Sequence, residues 1–271
     1  GFQFAASGFY TFNIGSSDLG KADATTGLYN RYEIALFDVE NPYNKKDNDR
    51  LEEFYIKYNY KKSFVAVGKQ LVNTPFINLQ DGRMRPTAVE GFWVDIKEIK
   101  KTKLEGGWLF AISPRGTNNW FTTGESIGSY PVGVTNNGNK SQYANNLKSN
   151  GVFLFGAHIN LGSNIHLHGW NVFTENIFNT AMLQADFSFR RKGNDTLFAS
   201  AQCIQQNAMK NGGNIDAAKT YFEKGEQSRT FGLKAGWKNK QWEAGIHYNR
   251  ITAQGRYLMP REWGREPFFT F

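Results

Sequence analysis

Apolar and polar residues alternate one by one over much of this chain. Phe231, Leu233, Ala235 and Trp237 share one parity, against Thr230, Gly232, Lys234 and Lys238. After Asn239-Lys240-Gln241 the alternation resumes, with Trp242, Ala244, Ile246 and Tyr248 against Glu243, His247 and Asn249. A period of two is the side-chain period of a β-strand, so each segment carries one apolar and one polar face. The same pattern predicts about twelve strands. The first runs over Phe2–Ile14, the second over Leu28–Val39, and the third carries Phe54, Ile56, Tyr58 and Tyr60 against Glu53, Lys57 and Asn59. Phe64–Lys69, Val89–Lys97 and Leu104–Ser113 follow, then a seventh around Phe153–Leu161 and an eighth over Ile165–Thr174. The ninth sets Leu183, Ala185, Phe187 and Phe189 against Gln184, Asp186, Ser188 and Arg190, and the tenth covers Leu197–Gln205. In a soluble sandwich such apolar faces meet a second sheet; in a transmembrane barrel they meet lipid and the polar faces line water.

The connections separate these two architectures. From the third strand onward, tight turns (Lys61-Lys62, Gly162-Ser163-Asn164, Lys192 to Asp195, Asn239-Lys240) alternate with long segments (Leu71–Ala88, Pro114–Asn150, Gln206–Ser228). Short turns at one end and long loops at the other are the habit of outer-membrane barrels, whereas a Greek-key sandwich has no reason to gather its long loops at one end. Strands of about 9–11 residues suit a tilted crossing of a bilayer. The fold class expected is therefore all-β: a transmembrane antiparallel up-and-down β-barrel occupying residues 1–271 as one domain. Counting Leu28–Val39 as a strand makes the first strand run downward from outside and leaves both ends external. At least one further strand is then expected before Gly1 and one after Phe271, because an open edge in lipid leaves backbone groups unpaired.

Composition fits this picture. The 271 residues include 23 Phe, 12 Tyr, 7 Trp and 28 Gly, but only 7 Pro. Mean hydropathy is −0.54 and no long apolar run occurs, so transmembrane helices are excluded. Aromatic excess suits the girdles of a barrel, and equally the core of a soluble all-β protein. Cys203, the single cysteine, allows no internal disulfide and falls on an apolar face as a small filler. The formal charge of +8 resides largely in turns (Lys61, Lys62, Lys100, Lys101, Lys192, Lys238, Lys240) rather than in one stripe, which argues against nucleic acid as a partner. The chain opens directly in a strand pattern, so an export leader is expected to be removed or to lie outside this sequence.

Two stretches hold the distinctive residues. Leu71–Glu90 is long, apolar and carries Asp81, Arg83 and Arg85. Folded into a barrel it narrows the pore and presents fixed charge to solutes; as an ordinary external loop it pairs its arginines with Asp81 and Glu90. Gly255–Phe271 interleaves Arg256, Arg261 and Arg265 with Glu262, Glu266, Trp263 and several Phe. Arginine grips carboxylates bidentately, in a structural cluster or in a solute relay alike. His166 and His168 share one strand face, and His158 and His247 lie on other strands, but no carboxylate or Cys accompanies them at ligand spacing, so no metal is expected. No nucleophile-elbow, zincin or P-loop pattern occurs, and an enzyme is not expected.

GKQLVNTPFINLQDGRMRPTAVEGFW (Gly68–Trp93), EGGWLFAISPRGTNNWF (Glu105–Phe121) and QGRYLMPREWGREPFFTF (Gln254–Phe271) together resemble the OprD-type outer-membrane porins, in the form found in Bacteroidetes. The resemblance runs over essentially the whole chain. It implies a monomeric channel of 18 strands, of which this chain supplies about twelve, with inward-folded loops forming a narrow eyelet and basic residues along the lumen. It implies no cofactor, and passive diffusion of small solutes such as amino acids, short peptides or carboxylates. Carried across residue by residue, Asp81, Arg83 and Arg85 belong to the inward-folding region, and Arg261 and Arg265 to a later lumen-facing loop. Strand phase adds Lys57, Asp186, Arg190 and His247 as lumen-lining groups, and puts Phe54, Ile56, Tyr58, Leu183, Phe187, Phe231, Leu233 and Trp237 against lipid. Lipid and small solutes are the partners expected, with association with other outer-membrane proteins left open. Two rival readings remain: a non-transporting barrel that serves as a structural or assembly partner, and a soluble glycan-binding β-sandwich.

Overall fold

The computed structural model describes residues 1–15, 21–27, 41, 43–79, 85–129, 132–191 and 195–270. Its strands are β1 (Phe2–Thr11), β2 (Asn48–Tyr60), β3 (Ser63–Gln70), β4 (Ala88–Ile96), β5 (Thr102–Ser113), the short β6 (Phe121–Thr122), β7 (Val152–Leu161), β8 (Ile165–Thr174), β9 (Phe178–Arg190), β10 (Thr196–Ala208), β11 (Gln227–Lys238) and β12 (Glu243–Ile251). One helical turn, α1 (Thr123–Ser126), interrupts the connection from β5 to β7. All belong to a single sheet in which each long strand pairs antiparallel with its sequence neighbours, β6 adding to β5 alone. There is no second sheet among the described residues, so the sandwich reading does not hold. Among them β1 and β12 are the two edges of the sheet.

Two expectations change. Leu28–Val39 lies outside the described residues, and β1 pairs directly with β2, Phe2 opposite Tyr58 and Thr11 opposite Asn48. The first strand therefore runs from the tight-turn end toward the long-loop end, opposite to the direction expected. The alternation of loop lengths also has an exception. Because β9 begins at Phe178, the connection after β8 is only Glu175, Asn176 and Ile177 although it lies at the long-loop end. Asn176 closes this turn with φ +67°, a conformation that Asn tolerates better than most side chains.

Register fixes which side chains share a face. Leu183, Cys203 and Phe231 form one row across β9, β10 and β11, and all three are exposed on the convex side. Asp186, Ser200, Lys234 and His247 form a row on the opposite, concave side across β9 to β12. The convex side is apolar and uncovered: Phe54 is 62% exposed, Leu183 69% and Ile246 81%. Water does not tolerate so large an apolar surface on a monomer.

Two bulges adjust the phase. Ser7 pairs with Glu53 but Gly8 with Leu51, so Glu52 has no cross-strand partner and turns inward onto Arg50. Glu90 pairs with Ala111 but Gly91 with Leu109, which leaves Phe110 unpaired and exposed. A Cβ on Gly91 would sit 2.2 Å from the Trp108 carbonyl oxygen, so only glycine permits that approach.

The hydrophobic core lies inside the concave surface rather than between layers. Val72, Phe76 and Ile77 after β3, Ile127 after α1, Tyr221 and Phe222 before β11, and Trp263 after β12 pack on Trp93, Leu109, Leu154, Trp170, Val172, Phe178 and Ile204 from the strands. The long connections have thus carried their own apolar residues into the interior. Burial of this kind contributes roughly 25 cal/mol per Å² and offsets the entropy of ordering long segments.

Candidate functional site

The segment from Gly255 to Thr270 crosses the concave face and is held from every side. On β10, Gln206 Nε2 donates to Leu258 O (2.7 Å) and Gln206 Oε1 accepts from Leu258 N (2.9 Å), while Gln202 Nε2 donates to Pro267 O (2.7 Å). On β12, Asn249 Oδ1 accepts from Thr270 N (2.9 Å), and the His247 ring nitrogen Nδ1 lies 2.8 Å from Phe269 O, to which it donates. From the connection between β3 and β4, Asn78 donates through its backbone N–H to Trp263 O (3.1 Å) and through Nδ2 to Arg265 O (3.2 Å), and Thr87 Oγ1 donates to Glu262 O (2.9 Å). From the loop after β5, Arg115 Nη2 donates to Arg261 O (3.1 Å), and Trp263 Nε1 donates to Ser126 Oγ of α1 (2.8 Å). A side chain at Gly264 would lie 2.5 Å from Asn78, so the Trp263-Gly264 step needs glycine to dock there.

This docking gathers some expected residues and separates others. Arg261 and Arg265 are exposed on the interior segment, and Arg261 is loosely paired with Glu266 at 3.8 Å. Asp81 and Arg83 lie outside the described residues. Arg85 is 1% exposed, and its guanidinium donates to Asn118 Oδ1. It is packed into the wall beneath the loops. Lys57 lies over the Phe64 ring on the concave side, 4.2 Å from the centroid. Asp186 accepts from Gln184 Nε2 (2.9 Å) and lies 3.1 Å from His168 Nε2. Arg190 is exposed near the tight-turn end of β9, and His247 reaches the interior segment as above.

Sequence reasoning missed Asn78, Ser126, Gln202 and Gln206. Gln202 and Gln206 are buried on the concave face of β10, 5% and 1% exposed. Two amides on the inward parity of one strand were the legible signal. A buried amide must bond, and here β9 side chains (Thr180 for Gln206, Gln184 for Gln202) share the task with the backbone of a segment returning inside. It also missed a second buried cluster. Arg50 donates to Glu52, to Pro86 O (2.7 Å), to Ser113 Oγ (3.1 Å) and to Thr117 O (3.2 Å), tying two long connections to β2.

Between the interior segment and the loop after α1 lies a cavity of about 960 Å³, lined by Tyr143, Tyr221, Tyr257, Arg256, Arg261 and Glu262 among others. Glu262 is 2% exposed; its Oε1 accepts from Gly128 N at 2.5 Å. Burial pushes its carboxyl up to about 7, against the opposing pull of the Glu262 and Gly128 backbone N–H groups and of Arg115 and Arg261. Burial likewise holds the Tyr221 and Tyr257 hydroxyls well above their usual range, so both remain neutral. The cavity wall is thus aromatic, neutral at its tyrosines, and cationic at Arg256 and Arg261, which pair loosely with Glu226 (3.7 Å) and Glu266 (3.8 Å), while the buried Glu262 carboxyl is only partly ionised near neutrality.

The family description "outer membrane porin, OprD family" matches residues 20–260. No curated protein matched the chain. Among solved structures, Acinetobacter baumannii OccAB3 superposes with a TM-score of 0.68 at 13% identity, covering 93% of this chain and 55% of that one. Pseudomonas aeruginosa OccK1 (OpdK) gives 0.65 at 17% identity over 93% and 56%, and OpdK solved with vanillate gives 0.64 at 17% identity over 92% and 56%. The chain spans a little over half the length of the channels it matches. At these identities the likeness establishes the fold: an all-β antiparallel sheet of the outer-membrane barrel type.

Proposed function

We propose that this chain, which belongs to the OprD family of outer-membrane porins, forms a passive and selective diffusion channel for small solutes carrying a carboxylate, such as amino acids, short peptides and organic acids. The observation that carries this reading is the interior segment, stapled across the concave face and presenting Arg261 to a cavity of about 960 Å³. A fixed guanidinium in a narrow, partly apolar passage attracts anions and disfavours cations. Arg265 and, in the adjoining stretch, Asp81 and Arg83 belong to the same constriction in this reading. Arg85, being buried, serves it as a strut. Lys57, Asp186, Arg190 and His247 line the wall. That OpdK was solved with vanillate, itself a carboxylate, supports the solute class. Glu262 and Glu266 temper the positive charge and admit zwitterions.

We read residues 1–271 as one barrel domain whose edges β1 and β12 pair with further strands. Each backbone N–H or C=O left open in hydrocarbon costs several kcal/mol. The intact mass of the protein isolated from outer membranes tests this: a value above 30.8 kDa is expected, and a mass equal to it would refute the reading. Planar-bilayer recordings test transport. A salt gradient should give a mild anion preference, and Arg261→Ala and Arg83→Ala should each reduce it about twofold, the size expected of one screened charge at close range. Cation selectivity unchanged by these substitutions would remove the arginines from the pore. Absence of conductance would leave the protein a non-transporting barrel.

A further inference from the structure

His158 of β7 and His168 of β8 are directly opposite each other in register and project into the lumen. Their Nδ1 atoms are 2.7 Å apart. On the far side of each ring stands a carboxylate: Glu105 Oε1 of β5 is 2.9 Å from His158 Nε2, and Asp186 Oδ2 of β9 is 3.1 Å from His168 Nε2. Three contacts in line each require a hydrogen between the two atoms. Two neutral imidazoles bring only two N–H groups. With two hydrogens, one of the three contacts sets lone pair against lone pair; with three, every contact is a hydrogen bond.

The surrounding charges point the same way. Lys103 of β5 lies 2.7 Å from Glu105 and 3.4 Å from Asp95 of β4, and Lys97 lies 3.1 Å from Asp95. Asp186 is further bonded by Gln184 (2.9 Å). His166, the neighbouring inward residue of β8, is occupied with Asn160 at 2.5 Å. The Trp170 ring meets the His158 ring edge-on. The segment facing the pair across a cavity of about 290 Å³ contributes Asn73, Thr74 and Pro75, none of them charged. Around the pair, two lysines, Lys97 and Lys103, thus stand against three carboxylates, Asp95 and Glu105 beside them and Asp186 beyond the rings. One imidazolium balances these five groups, and Lys234 stands two strands beyond Asp186 in its row. Both rings are about a quarter exposed (23% and 29%), so lumen water reaches them.

Resting on the porin reading for its functional consequence, we propose that the His158–His168 pair is a proton-binding site of the pore wall, holding one excess proton between two carboxylates and setting the charge beside the inward-folded Asn73–Pro75 segment according to pH. Imidazole is the side chain suited to this exchange between about pH 5 and 8. A unit charge at about one screening length, roughly 8–10 Å, from a permeating ion changes the ratio of anion to cation permeability by about twofold.

The test uses the full-length protein carrying Glu262→Gln, His166→Gln and His247→Gln, which removes the buried carboxyl raised to about 7 and the two imidazoles outside the pair. In bilayers the anion-to-cation permeability ratio should rise about twofold between pH 8 and pH 5, and His158→Gln or His168→Gln should each abolish the rise. A ratio independent of pH, or a rise retained in both variants, would overturn the proposal. A second readout does not depend on conduction. Nitrogen-15 spectra of histidine-labelled protein in micelles at pH 6 should show one doubly protonated ring of the pair, lost as such in His168→Gln. Two singly protonated rings would overturn the proposal, and if no channel forms, the porin reading fails while the spectra still decide the proton.

Discussion

Replacing Glu262 by Gln isolates one buried charge. The carboxyl is 2% exposed, lies on the docked interior segment, and among the described residues accepts one short bond from another residue, Gly128 N at 2.5 Å. Burial raises it from 4.5 to about 7. For an acid raised in the folded state, the folded chain holds a proton that the unfolded chain has already released between those two values. Stability therefore falls as pH rises from about 4.5 and levels off above about 7. At 1.36 kcal/mol per unit, the difference amounts to about 3 kcal/mol. Glutamine keeps the acceptor for Gly128 N and cannot ionise, so its variant should lack this slope. Urea unfolding in micelles at pH 4.5, 6 and 8 reads the difference between the two proteins; comparing them cancels the contribution of other carboxyls. Glu262→Gln should become more stable than the parent by about 3 kcal/mol between pH 4.5 and 8. An identical pH dependence in both proteins, or a parent that gains on the variant with rising pH, would refute the assignment.

Trp263→Ala removes a side chain 1% exposed together with its bond to Ser126; a loss of about 3–5 kcal/mol is expected for docking of the interior segment, seen as faster hydrogen exchange over Gly255–Thr270 and larger, noisier single-channel currents. Arg50→Ala leaves Glu52 buried and uncompensated, so unfolding free energy should drop by about 3–5 kcal/mol, and a drop below about 1 kcal/mol would show that water already reaches the pair. Cys203, exposed on the convex face, should react in liposomes with a lipid-soluble maleimide and resist a charged thiosulfonate, whereas His247→Cys in a Cys203→Ala background should do the reverse; the opposite pattern would invert the two faces.

Much of this architecture follows from the order of the residues alone. Strict parity placed Phe54, Leu183, Phe231 and Leu233 on one side and Lys57, Asp186 and His247 on the other, because a strand leaves a side chain only two choices. The Leu71–Glu90 and Gly255–Phe271 stretches stood out because an external loop has no use for so many apolar residues. Tertiary structure decided what parity does not reach. The two bulges, one turning Glu52 inward and the other carrying Ile112 out of the outward phase of Trp108 and Phe110 into the core, depend on a partner strand, since a local pattern has no record of which residue is skipped. Arg85 resembled Arg261 in sequence, yet one is buried on Asn118 and the other open to the cavity, because only the folded loops determine which guanidinium is covered. Sequence spacing gives the histidines no carboxylate neighbour. Glu105 and Asp186 arrive from strands 53 and 18 residues away. Cross-strand register, which couples distant residues through backbone hydrogen bonds, brings them to the two rings.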